Sequence, residues 1–182
     1  MEFLDLSIIF RCLVTQEDIG SASILIHNVH MKLWDITIQE MYHDAVMNTP
    51  RLEEYEIKDM TEVMREIMTA ENSDGSDQEE YMEEFSDSVP MYVLSNKNRI
   101  EGAVCMLYPD LIKNFSEKIR SSFYIIPSSV HECLLLPTKE NEQSGEIRNM
   151  IKEINDTQVS VEERLSYSLY YYDKDMGRII KL

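Results

Sequence analysis

The stretch YIIPSSVHECLLLP, residues 124–137, holds an apolar run, a Pro-Ser-Ser corner, a His-Glu pair and a second apolar run closed by proline. Both runs are too short for helices, and the proline with its serines marks a turn, so the stretch predicts two neighbouring strands. Local pairs of this kind favour an antiparallel sheet, because parallel neighbours need a longer crossover. Outward from there, residues 91–95 read as a further strand. Residues 169–172 and 178–181 flank the turn Asp173-Lys174-Asp175-Met176-Gly177 and read as a hairpin. Residues 4–14 and 21–27 read as another.

Helical spacing appears in four places. Thr37 and Glu40 form a capping box ahead of Ile38, Met41, Tyr42, Ala45 and Val46, with Pro50 expected soon after the end. Met60, Val63, Met64 and Met68 repeat at helical intervals after a strand-like start at residue 54. Leu111, Ile112, Phe115 and Ile119 follow Pro109, read as a first helical residue, and Ile147, Met150, Ile151 and Ile154 make the last stripe. Ser160 and Glu163 form a second capping box, read as opening a short helix. The expected fold is α+β: a mostly antiparallel sheet covered by three or four amphipathic helices, chiefly those starting near Thr37, Pro109 and Gly145. Residues 36–41 echo residues 159–164, which admits two related half-motifs as well as two ordinary capping boxes.

The chain has 182 residues, 43% of them hydrophobic, which favours a single domain over 1–182 with one core. Seventeen Lys and Arg stand against 34 Asp and Glu, a net charge of -17 that repels phosphate backbones and anionic lipid, so nucleic acid and membrane are not expected partners. No apolar run approaches the roughly 20 residues of a membrane span, and the N-terminus lacks the marks of a signal peptide, so a cytoplasmic protein is expected. Cys12, Cys105 and Cys133 sit in apolar contexts and read as buried free thiols. The acidic segment 71–88 reads as a mobile loop, since it carries no basic residue and little that could be buried. The immediate opening in a strand pattern is what a fragment of a longer protein shows.

Catalytic motifs come close and miss. His131-Glu132 would begin a zinc-protease helix, but the position one turn later holds Leu135, and no metal or other cofactor is expected. In a strand His131 and Glu132 point to opposite faces. Ser128 or Ser129 with His131 would be a nucleophile and its base, yet Ser-Ser after proline more commonly bonds its own turn. His27, His30 and His43 make a metal set only if three rings converge. Tyr170, Tyr171 and Tyr172 alternate faces in an extended chain and suggest an exposed aromatic patch for binding.

The segments MYVLSNKNRIEGAVCMLYPDLIKNFSEKI (91–119), FYIIPSSVHECLLLP (123–137) and LSYSLYYYD (165–173), with FLDLSIIFRCLV (3–14) and WDITIQEMYHDAVMNTPRL (34–52), resemble an uncharacterised domain-of-unknown-function family of anaerobic gut-associated Gram-positive bacteria. A fainter similarity, in residues 34–46 and in the helix-strand-strand order of residues 109–137, points to a second uncharacterised bacterial family. The resemblance implies an intracellular protein with further sequence before Met1, and it carries over no cofactor or catalytic residue. The expected function is a non-enzymatic binding or protein-interaction module with a protein partner. The alternative is a hydrolase with its active groups at Ser128, Ser129, His131 and Glu132.

Overall fold

The computed structural model describes residues 1–16, 20–70, 90–127, 129–138, 144–157 and 159–182. The acidic segment 71–88, expected to be a mobile loop, and Ser128 lie outside the described residues. The chain divides into two compact units, Met1–Leu52 and Glu53–Leu182.

In the first unit the run 4–14 is not one strand. Strands β1 (Glu2–Phe3) and β2 (Leu6–Ser7) pair across a turn where Leu4 takes a left-handed φ of 55°. β3 (Arg11–Gln16) then pairs with β4 (Gly20–Leu25), in register from Arg11↔Leu25 to Gln16↔Gly20. Helix α1 (Asn28–Trp34) ends at left-handed Asp35. The expected capping box opens α2 (Ile38–Leu52): the Glu40 N–H donates to Thr37 Oγ1 at 3.2 Å, and the Thr37 N–H donates to Glu40 Oε2 at 2.8 Å. Pro50, expected beyond the end, lies inside the last turn, where its missing N–H removes one bond to the preceding turn just before the helix stops. Phe10 is the one buried side chain among the described residues of this unit.

The second unit is built on a six-stranded sheet in the order β10-β9-β7-β8-β6-β5, every neighbour antiparallel. Its strands are β5 (Tyr55–Asp59), β6 (Tyr92–Asn96), β7 (Phe123–Ile126), β8 (Cys133–Pro137), β9 (Tyr170–Asp173) and β10 (Arg178–Lys181). The stretch that opened the sequence reading is its centre, β7 beside β8 with Ile125 opposite Leu135. All four residues of β7 are buried, because helices cover both faces. On one face Val93, Tyr124, Ile126, Leu134 and Leu136 pack with Val63 of α3 (Met60–Ala70) and with Ile147 and Ile151 of α5 (Ser144–Thr157). The register puts Leu94, Ile125, Leu135 and Tyr170 on the other face. There Phe115 of α4 (Leu111–Ile119) meets Tyr92 and Phe123, and a 3-10 helix (Gly102–Leu107) runs alongside.

An α+β fold with a large antiparallel sheet is what the sequence predicts, but the helix count differs. The described residues hold five α-helices and one 3-10 helix instead of three or four. The additions are short: α1 and the 3-10 helix carry no stripe long enough to announce them. In the other direction, Ser160 and Glu163 open no helix. The Glu163 N–H donates to Ser160 Oγ at 3.3 Å as a capping box requires, yet the chain makes one turn and then pairs Arg164 with Ser129 in an isolated bridge. Pro109 precedes α4 by two residues instead of opening it, with Asp110 as the N-cap in a left-handed conformation. No described helix is long and apolar enough to cross a membrane.

Candidate functional site

The polar end of β6 organises a corner of the second unit. Ser95 and Asn96 are buried, and Asn96 closes the turn that follows: its Oδ1 accepts the Ile100 N–H at 3.1 Å, and its Nδ2 donates to the Ile100 carbonyl at 2.7 Å and to Glu53 Oε2 at 3.2 Å. These bonds hold Arg99 and Glu101 at φ of 55° and 54°, a left-handed region that costs non-glycine residues about 1 kcal/mol or more each. The turn delivers Gly102 onto the sheet with no room to spare. A Cβ there would meet Ser95 Oγ, the Asn96 nitrogen at 2.5 Å and the His131 carbonyl oxygen at 2.6 Å.

His131 sits against that turn. Its Nδ1 accepts the Glu101 N–H at 3.1 Å, its carbonyl accepts from Ser95 Oγ at 2.7 Å, and its own N–H donates to Ser129 Oγ at 2.9 Å. With Nδ1 accepting, the neutral ring carries its proton on Nε2, which lies 3.5 Å from Glu163 Oε1. The corner is stitched further by the Val130 N–H to the Glu163 carbonyl at 2.8 Å and by the Ala103 N–H to the Val130 carbonyl at 3.1 Å. Behind it Asn155 is fully buried: its side-chain Nδ2 donates to the Ser166 carbonyl at 2.9 Å and its main-chain carbonyl accepts from the Arg164 guanidinium at 2.5 Å.

This arrangement supplies a positioned histidine and a carboxylate, but the roles run against acyl-transfer chemistry. A general base needs a free lone pair on the nitrogen facing the nucleophile. The one lone pair of neutral His131 is taken by a main-chain amide, and Ser129 Oγ faces a main-chain N–H, as a serine turn does. Glu132 is half-buried in the corner. β8 begins only at Cys133, so the expected strand geometry does not govern His131 and Glu132, because the corner occupies both positions.

The other sequence candidates fall elsewhere. Tyr170 and Tyr172 are buried and Tyr171 packs against the apolar core, with ring centroids 5.5 Å from Tyr124. The expected exposed aromatic patch is therefore corrected: β9 is an interior strand covered on both faces. His27 and His30 lie together at the start of α1, ring centroids 5.7 Å apart, with His30 stacked on Trp34. Among the described residues no three His, Cys, Asp or Glu side chains stand close enough to hold a metal ion. Cys105 and Cys133 are disfavoured as nucleophiles, since burial pushes Cys105 up to about 11 and Cys133 upward as well, which keeps both protonated at neutral pH, whereas Cys12, read as buried from the sequence, is exposed. Sequence reading missed Asn96, Glu101, Gly102 and Arg164. Their contacts join residues tens of positions apart, and the one local signal, the Ser160–Glu163 box, pointed to a helix.

Neither a curated protein nor a solved structure matches the chain. Residues 1–174 match a family of unknown function, DUF5688, and the chain belongs to that family.

Proposed function

We propose that this chain is a non-enzymatic module of the bacterial cytoplasm that binds a protein partner, with the first unit carrying the docking surface. One observation supports this most directly. The first unit, with Phe10 the one buried side chain among its described residues, leaves Val29, Leu33 and Trp34 of α1 and Leu13 and Ile24 of the β3–β4 hairpin exposed, Leu33 at 80%. Scattered exposed leucines are ordinary, whereas a whole unit of uncovered apolar side chains marks an interaction surface. Val29 and Leu33 stand one helical turn apart and so share one face of α1. The free thiols favour a reducing compartment.

The test compares the tagged full chain with a Val29→Lys, Leu33→Lys double variant, each used to recover partners from cells that produce the protein naturally. The expected result is one protein in near-stoichiometric amount with the wild type and its loss with the variant at unchanged circular dichroism. Equal recovery by both would overturn the reading. The hydrolase alternative rests on the adjacency of Ser129, His131 and Glu132, and turnover of an ester or amide substrate that vanishes in both Ser129→Ala and His131→Ala would replace the binding reading.

A further inference from the structure

His131 stands between two turns and gives one ring nitrogen to each. Nδ1 accepts the Glu101 amide of the 97–102 turn, and the proton on Nε2 faces Glu163 of the 160–164 turn at 3.5 Å. We propose that His131 is a proton-operated switch between these turns: the neutral ring ties down Glu101, and the protonated ring gives up that tie and holds Glu163.

The chemistry of imidazole makes the two ties unequal. A protonated ring has donors on both nitrogens, so Nδ1 would confront the Glu101 N–H donor to donor, and that hydrogen bond is lost outright. The Nε2 side changes in the opposite sense, since a weak contact to a carboxylate becomes a charge-assisted one. Imidazole is the side chain that ordinarily changes charge between about pH 5 and 8, and the ring is 34% exposed, so solvent protons reach it. The remaining bonds of the corner do not depend on that proton. Ser95 Oγ to the His131 carbonyl, the His131 N–H to Ser129 Oγ, the Val130 N–H to the Glu163 carbonyl and the Ala103 N–H to the Val130 carbonyl all persist. The corner therefore stays in place while the ring exchanges one turn for the other, and Glu101, held at φ of 54°, is the residue with strain to release.

The charged groups on the surrounding elements are compatible with this. On the first turn Arg99 is engaged by Glu66 at 2.5 Å and approached by Glu56 at 3.9 Å, and Glu101 meets the ring through its main-chain N–H. On the second, the Arg164 guanidinium donates to the Asn155 and Val159 carbonyls, leaving Glu163 as the carboxylate in contact. Glu132 adds a further negative charge beside His131 on its own segment.

The experiment is an NMR titration of the full chain from pH 8 to pH 5, following the His131 ring C–H signals and the Glu101 amide. The expected result is a Glu101 amide shift with the same midpoint as the ring, with its hydrogen-exchange protection, corrected for intrinsic rates, falling about tenfold across it. In His131→Gln, whose side-chain oxygen accepts at every pH, the Glu101 amide stops titrating. A Glu101 amide that ignores the ring midpoint in the wild type overturns the proposal, and that arm needs no variant to fold. An amide that titrates equally in folded His131→Gln overturns it as well.

Discussion

Phe115 meets Phe123 edge to face, with ring centroids 5.0 Å apart and planes at 88°, and the same Phe115 ring meets Tyr92 at 5.2 Å. One residue of α4 thus locks two strands of the sheet, β7 and β6, that are not direct neighbours. Phe115→Ala removes a buried ring from a close-packed site, for which a loss of about 3–5 kcal/mol is typical. Set against a total stability of ~5–15 kcal/mol, the variant is expected to unfold at markedly lower urea or temperature, and an unchanged midpoint would contradict the packing.

Gly102→Ala is expected to cost about 3 kcal/mol, the upper end for an overpacked site. The new methyl runs into main-chain atoms of Asn96 and His131, which cannot swing aside as a flexible side chain would. Urea denaturation of the variant measures this directly. A loss under about 0.5 kcal/mol, typical of surface changes, would show that the corner yields easily.

Thiol labelling under native conditions is expected to modify Cys12 quickly and to spare Cys105 and Cys133 until the protein unfolds. Cys12 is exposed on β3, while the other two are fully buried and burial pushes Cys105 up to about 11. A disulfide reagent such as DTNB should therefore titrate one fast thiol, and three only after denaturant. Fast reaction of all three would place the 3-10 helix and β8 in solvent.

Glu66 of α3 accepts from Lys58 of β5 at 2.5 Å and from Arg99 at 2.5 Å. The hydrogen bond from Lys58 foremost holds its carboxyl below the usual range; burial opposes it, and the weaker hydrogen bond from Arg99 adds to the lowering. A carboxylate with a lowered pKa in the folded state contributes its stability above the unfolded value, and the contribution fades as pH falls through the folded one. The advantage of the wild type over Glu66→Gln is thus expected to be full at neutral pH and to vanish in acid. An advantage that grows on acidification would have the wrong sign.

What the sequence disclosed and what it withheld divide by distance along the chain. The pairing of β7 with β8 and of β9 with β10, the Thr37–Glu40 cap and the passage from β5 into α3 rest on contacts between near neighbours, and their residue patterns show them. The order β10-β9-β7-β8-β6-β5 depends on which apolar strand meets which, and runs as alike as FYII and CLLL do not encode that choice. The tyrosines of β9 illustrate the difference: their alternation was readable, but not that both faces are covered. At the His131 corner the residues themselves drew notice, while Glu101 and Glu163, each about 30 positions away, did not, because no periodicity links a turn amide to a distant ring.

The place of β9 in the sheet also bears on how the protein is made. β7, all four of whose residues are buried, pairs with β8 on one side and β9 on the other, so a growing chain carries Phe123–Ile126 with one edge bare until residues 170–173 have been synthesised. An unpaired apolar edge is a template for sticking to other chains. Nascent copies should therefore be most prone to association between the synthesis of β7 and that of β9, and completion of β9, rather than emergence of β7 itself, should be the moment at which they become safe from aggregation.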